Sequence, residues 1–251
     1  MRNLFPTMCS KPGKIQIFAL IPAWGWVFIL LPMYLPLVGL GLWDMVEMSV
    51  WLEIFYHVAN GILLLILVFG YLKEEWSMMV LDVRDYLKHA LLTVGLIFGV
   101  EILWLGALFL SGFNISELLE ALPVAEMSVS HTSLFLVQLQ PILGTIVMTV
   151  FAPISICALF YCLVFAPLCN IKPWLGYIGI VVATLIPPII DIIWRGDASL
   201  VMHAYLAKLP IHLLACWSYQ KTDNVWTPIF SLAATNLLLS IILQFYIYLV
   251  P

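Results

Sequence analysis

Charge is what this sequence has least of. Only 10% of its 251 residues are Asp, Glu, Lys or Arg, against 64% apolar ones, and a soluble domain of this length is not covered by so few ionised groups. The scarcity is uneven: no glutamate follows Glu126, and no histidine lies between residues 132 and 202. There is no block of lysine or arginine, which removes nucleic acid as a partner, and the net charge of −4 points to no strongly charged ligand. Cys9, Cys157, Cys162, Cys169 and Cys216 are odd in number and lack metal spacing, so they read as free, buried thiols. Neither HExxH nor CxxC occurs, and no cofactor is expected. Also missing are the alternation of a barrel strand, any low-complexity segment, and the internal repeat that marks inverted-repeat transporters.

What fills the chain instead is a series of apolar runs, each near the ~20 residues that cross a bilayer as a helix. Seven fall at about 15–40, 48–72, 88–112, 137–168, 174–194, 199–219 and 226–249. They predict an all-α polytopic membrane bundle of about seven transmembrane helices, multi-pass in the plasma membrane, with residues 1–251 forming a single integral membrane domain. The fourth run is over-long, and Pro141 and Pro153 are expected to bend it. Arg2, Lys11, Lys14, Lys73, Arg84, Lys88, Lys172 and Lys221 fall on one side of the membrane and Arg195 alone on the other. By the positive-inside rule the N-terminus is cytoplasmic and the C-terminus outside. The first run lacks a small-residue cleavage site and is long enough to span, so it is expected to be kept.

Two connections have character. The inner "KEEWSMMVLDVRDYLKH" suits either an amphipathic helix lying on the membrane or a solvated linker helix. The outer "FNISELLEALPVAEMSVSH" offers Asn114 as a helix cap with Glu117 three residues on, and Pro123 as a stop.

Polar groups inside the runs need partners, because an ionisable side chain at mid-bilayer costs on the order of 2.5–3.5 kcal/mol. Glu101 sits near the middle of the third run and His57 at similar depth in the second; Asn60, one turn from His57, shares its face. The three suit a clasp between helices, or a ligand site or proton relay. Asp191 and Arg195 are spaced as a same-face ion pair, and Lys208 and His212 share a face of the sixth run, which also carries His203. Asp191, His203 and His212 are a conceivable metal set, but no motif supports one, and no metal site is expected.

The segment "YQKTDNVWTPIFSLAATN" at 219–236 resembles a pattern of the CPBP family, the CAAX-protease and bacteriocin-processing (ABI) membrane proteins. That pattern runs Y-x-K/R-T-G-N/S-L-W-x-P-I-x-x-H-x-x-x-N. Lys221, Thr222, Asn224, Trp226, Pro228 and Asn236 fall on it, while the family histidine falls on Leu232. Upstream, "FAPISICALFYCLVF" at 151–165 resembles the family's xAPIxEExxFRGxLF helix, with Ala152, Pro153, Ile154 and Phe160 keeping its frame. The acidic pair becomes Ile156 and Cys157 and the arginine becomes Tyr161; the middle Phe-x-x-x-His motif has no counterpart in "VVATLIPPIID". The resemblance covers about residues 140–245 and implies a family frame without its catalytic groups.

Water attack on a peptide needs a base and an oxyanion stabiliser, and Ile156 and Leu232 are neither. Cys157 has no histidine near it along the chain, and an apolar setting raises a thiol's pKa. The leading expectation is a catalytically inactive pseudoprotease. It would be a scaffold or regulator that binds another membrane or secreted protein or peptide, bacteriocin immunity being one version. The alternatives are an active peptidase with relocated residues, Glu101 with His57 or His203, and a transporter component using Glu101, Lys208 and the histidines as a polar path.

Overall fold

The computed structural model describes residues 54–110 apart from 56, 60, 63, 64, 67 and 68, together with 141–195 and 198–249. At some of these positions, Asp191 and His203 among them, only the backbone is described. The predicted run 15–40, the outer loop with Asn114, and Asn60 lie outside the described residues.

Every described residue is helical except for single turns at Asp82, Lys172 and Asp223–Val225. Helical residues between 54 and 66 lead to α1 (Phe69–Leu81) and, after the turn at Asp82, α2 (Val83–Leu110). Next come α3 (141–171), α4 (Pro173–Arg195), α5 (Ala198–Thr222) and α6 (Trp226–Leu249). The last five apolar runs mark α2 to α6 to within about five residues, whereas α1 lies mostly beyond the run at 48–72. The inner connection is helical and mostly exposed. It is the end of α1 and the start of α2, joined by one turn in which Asp85 and Tyr86 N–H donate to Asp82 O at 3.1 and 3.4 Å.

Among the described residues, one stretch, Val83–Trp104, is long and apolar enough to cross a membrane. Shorter apolar stretches lie at Pro141–Ile156, Pro173–Leu185 and Trp226–Ile242. α2 is 28 residues long, about 42 Å at the α-helical rise. It packs against α5 and α6; α6 also packs on the first half of α3, and α4 on its second half and on α5.

The prolines of α3 go with changes in its hydrogen-bond register. Pro141 is the first described residue of the helix. Pro153 and Pro167 lie inside it, and each follows a π-helical stretch, Val147–Phe151 and Cys157–Phe165. A proline ring collides with the carbonyl four residues back in an α-helix; widening the preceding turn to i→i+5 bonding moves that carbonyl aside. Accordingly Ala152 N–H donates to Val147 O and Ala166 N–H to Tyr161 O. The same four residues, Val-Phe-Ala-Pro, stand at 150–153 and at 164–167.

Each phenylalanine of this pair lies against a glycine. A Cβ on Gly61 would come 2.6 Å from Phe151 Cδ1, and one on Gly176 would come 2.9 Å from Phe165 Cδ2 and 3.0 Å from Cys169 Cβ. At Gly176 the second obstacle is close to the backbone and cannot swing away. Gly176→Ala is therefore expected to lower stability by about 1–3 kcal/mol, read as a fall in the denaturation midpoint in mixed micelles. An unchanged midpoint would mean that α3 and α4 are not packed this closely.

Candidate functional site

The segment entering α6 is where the sequence pattern and the packing meet. A buried helix start leaves N–H groups that need acceptors, and Asn224 supplies one: its Oδ1 accepts from Trp226 N–H at 2.9 Å. Its Nδ2 donates to Glu75 O of α1 at 2.8 Å, and Trp226 Nε1 donates to Leu72 O at 2.9 Å. Trp76 packs edge-on against Trp226 with ring centroids 5.2 Å apart. Just before this cap the chain leaves α5 through Asp223, whose φ of 49° is left-handed and whose N–H closes on Tyr219 O at 2.8 Å. That is the usual stop of a helix, here without the usual glycine. Pro228 is the third residue of α6, where it breaks no internal bond.

Further along the same helix, Ser231 Oγ donates to Ala90 O of α2 at 3.4 Å and Asn236 Nδ2 to Met148 O of α3 at 2.8 Å. The second bond has a specific cause. Two residues are placed to donate to Met148 O: Ala152, whose N–H is taken by Val147 O, and Pro153, which has none. Asn236, nearly fully buried, supplies the missing donor.

Ile156, Cys157, Tyr161 and Leu232 are all at most 1% exposed and belong to one apolar cluster. The structure brings His212 of α5 to this cluster, although nothing near Cys157 along the chain suggested a histidine. His212 Nδ1 is 3.5 Å from Tyr161 Oη, and its ring stacks against Phe160 at 4.9 Å. Cys157 and Cys216 are within electrostatic reach of the same tyrosine. Around Tyr161 the structure thus gathers an imidazole and the thiols of Cys157 and Cys216, and among the described residues no carboxylate belongs to the cluster.

The remaining polar candidates fall elsewhere. Glu101 is half-buried on α2, with Lys208 of α5 among the charged groups within its electrostatic reach. His57 is buried, and no hydrogen bond joins it to Glu101 among the described residues. Asp191 and His203 lie on α4 and α5 with their side chains undescribed, and no group of three or more potential ligands is gathered among the described residues. Between α4 and α5, Tyr177 Oη donates to Gln220 Oε1 at 2.7 Å and Gln220 Nε2 reaches Cys169 Sγ at 3.8 Å.

Sequence reasoning missed Glu75, which is entirely buried. The signal was its spacing: Leu72, Glu75 and Met79 occupy one helical stripe, and all three are buried. No protein family, curated protein or solved structure matches this chain.

The α6 cap is open to direct test. Asn224→Ala removes both an acceptor and a donor and is expected to destabilise by about 1–2 kcal/mol. Trp226→Phe keeps most of the ring but loses the bond to Leu72 O, for about 0.5–1.5 kcal/mol. Equilibrium unfolding of each variant in micelles checks both, and a neutral Asn224→Ala would refute the cap.

Proposed function

We propose that this chain is a multi-pass plasma-membrane protein of about seven helices, N-terminus cytoplasmic and C-terminus outside. In this reading it has a CPBP/ABI-like frame and works as a non-catalytic scaffold or regulator for another membrane or secreted protein or peptide. The observation that carries the reading is the filling of four positions. Where the resemblance would put an acidic pair, an arginine and a histidine stand Ile156, Cys157, Tyr161 and Leu232, all buried in one apolar cluster. Water attack on a peptide needs a base and an oxyanion stabiliser within reach of the scissile bond, and a set made of two aliphatic chains, a thiol and a phenol offers neither in a charged form.

Binding needs less. It needs a stable frame with surface turned toward the lipid, and α2 has that: Leu91, Ile102, Leu103 and Leu110 are exposed, while a Cβ at Gly95, Gly99 or Gly106 would meet nothing.

The test is purification at native abundance in a mild detergent, with mass spectrometry of what accompanies the protein. A defined membrane or extracytoplasmic partner in stoichiometric amount is expected, and Glu101→Gln should leave that partner bound. A solitary protein that cleaves membrane peptides, with cleavage abolished by Glu101→Gln, would overturn the reading.

A further inference from the structure

We propose that the widened turn at Val147–Phe151 is a register switch in α3, held open by Asn236, whose closure turns the helix beyond it and parts Tyr161 from His212. A π turn inside an α-helix carries one residue more than the α path needs. Two registers compete here, and they differ in which carbonyl Pro153 orphans. In the widened register Ala152 N–H goes to Val147 O, and Met148 O is left for Asn236 Nδ2 at 2.8 Å. In the α register Ala152 N–H returns to Met148 O, and the carbonyl of Thr149, four residues before Pro153, loses its donor instead. Asn236 therefore selects the widened form, because it serves the carbonyl exposed only there.

The consequence of closing the turn follows from helix geometry. Removing one residue of register rotates the two halves against each other by about 100° and shifts them by about 1.5 Å. The half before the turn is tied to α6: Gln244 Nε2 donates to Pro141 O and to Thr145 Oγ1, both at 3.3 Å. Rotation falls on the half after it, which carries Cys157, Phe160 and Tyr161. That half meets α5 through the 3.5 Å Tyr161–His212 contact and the Phe160 stack, and a turn of that size takes Cys157, now 1% exposed, off the buried face. The switch stands on these contacts alone and does not depend on the scaffold reading; within that reading it gives the scaffold two alternative surfaces.

The experiment uses the full chain in nanodiscs and three variants. Asn236→Leu removes the donor. Deletion of Val150, an exposed residue of the widened turn, takes out the extra residue, so the turn closes to α register with its two halves unrotated; made in the Asn236→Leu background, it is the rescue variant. Thr235→Val, which alters a buried side chain bonded within α6, is the packing control. Pulse labelling with N-ethylmaleimide, resolved by cysteine with mass spectrometry, is combined with hydrogen exchange. Cys157 is expected to label about tenfold faster in Asn236→Leu, with α2 and α6 amides as protected as in the parent, and to label at the parent's rate in Thr235→Val and in the rescue variant. Continued protection of Cys157 in Asn236→Leu would overturn the switch, and so would fast labelling that survives the deletion or an equal rise in exchange across α2, α5 and α6.

Discussion

A proline inside an apolar helix leaves a carbonyl without its donor, and much of this architecture follows from where that carbonyl finds another. In hydrocarbon there is no water to supply one. α6 supplies it. Over Trp226–Leu249 this helix has no Asp, Glu, Lys, Arg or His, yet it is hydrogen-bonded to α1, α2 and α3. Asn224 and Trp226, at its start, donate to Glu75 O and Leu72 O of α1; Ser231 donates to Ala90 O of α2; Asn236 and Gln244 donate to Met148 O and Pro141 O of α3. Each is a neutral side chain meeting a main-chain carbonyl, the kind of interhelical bond that an apolar medium tolerates without the cost of burying charge.

This division of labour bears on function. In the segment 221–236, Asn224, Ser231 and Asn236 reach main-chain carbonyls of other helices, while Thr222 and Thr235 bond within their own. Near the middle of α3 stand Tyr161 with His212, Phe160 and the thiols of Cys157 and Cys216, a cluster with no carboxylate among its described residues. Glu101, which has the right chemistry, sits on α2 with Lys208 as its charged neighbour.

Helix positions were legible in the sequence because apolar runs of near-constant length are set by one requirement, burial or lipid contact over a fixed span. Asn236 stood out by its place in a pattern, but its role did not, since that depends on a carbonyl 88 residues away whose donor is lost only once the register of α3 is known. The twin Val-Phe-Ala-Pro segments carry no signal of a repeat, since four residues are too few to mark one, and their meaning lies in the turn that precedes each proline. His212 was seen as a neighbour of Lys208 on one face, and its approach to Tyr161 is a matter of how α5 meets α3, which helical spacing does not encode. Glu75 was hidden differently, inside a segment whose charge read as solvated while its spacing with Leu72 and Met79 placed it in the core.

The bond between Asn236 and Met148 is the point at which helix register, proline placement and helix packing are all committed together. The most direct measurement is a solid-state NMR distance experiment in lipid on protein carrying [1-13C]Met and 15N-labelled Asn side chains. Strong carbon–nitrogen dephasing that matches the 2.8 Å nitrogen–oxygen contact and disappears in Asn236→Leu is the predicted result. No dephasing in the parent protein, or dephasing that survives the substitution, would contradict the account.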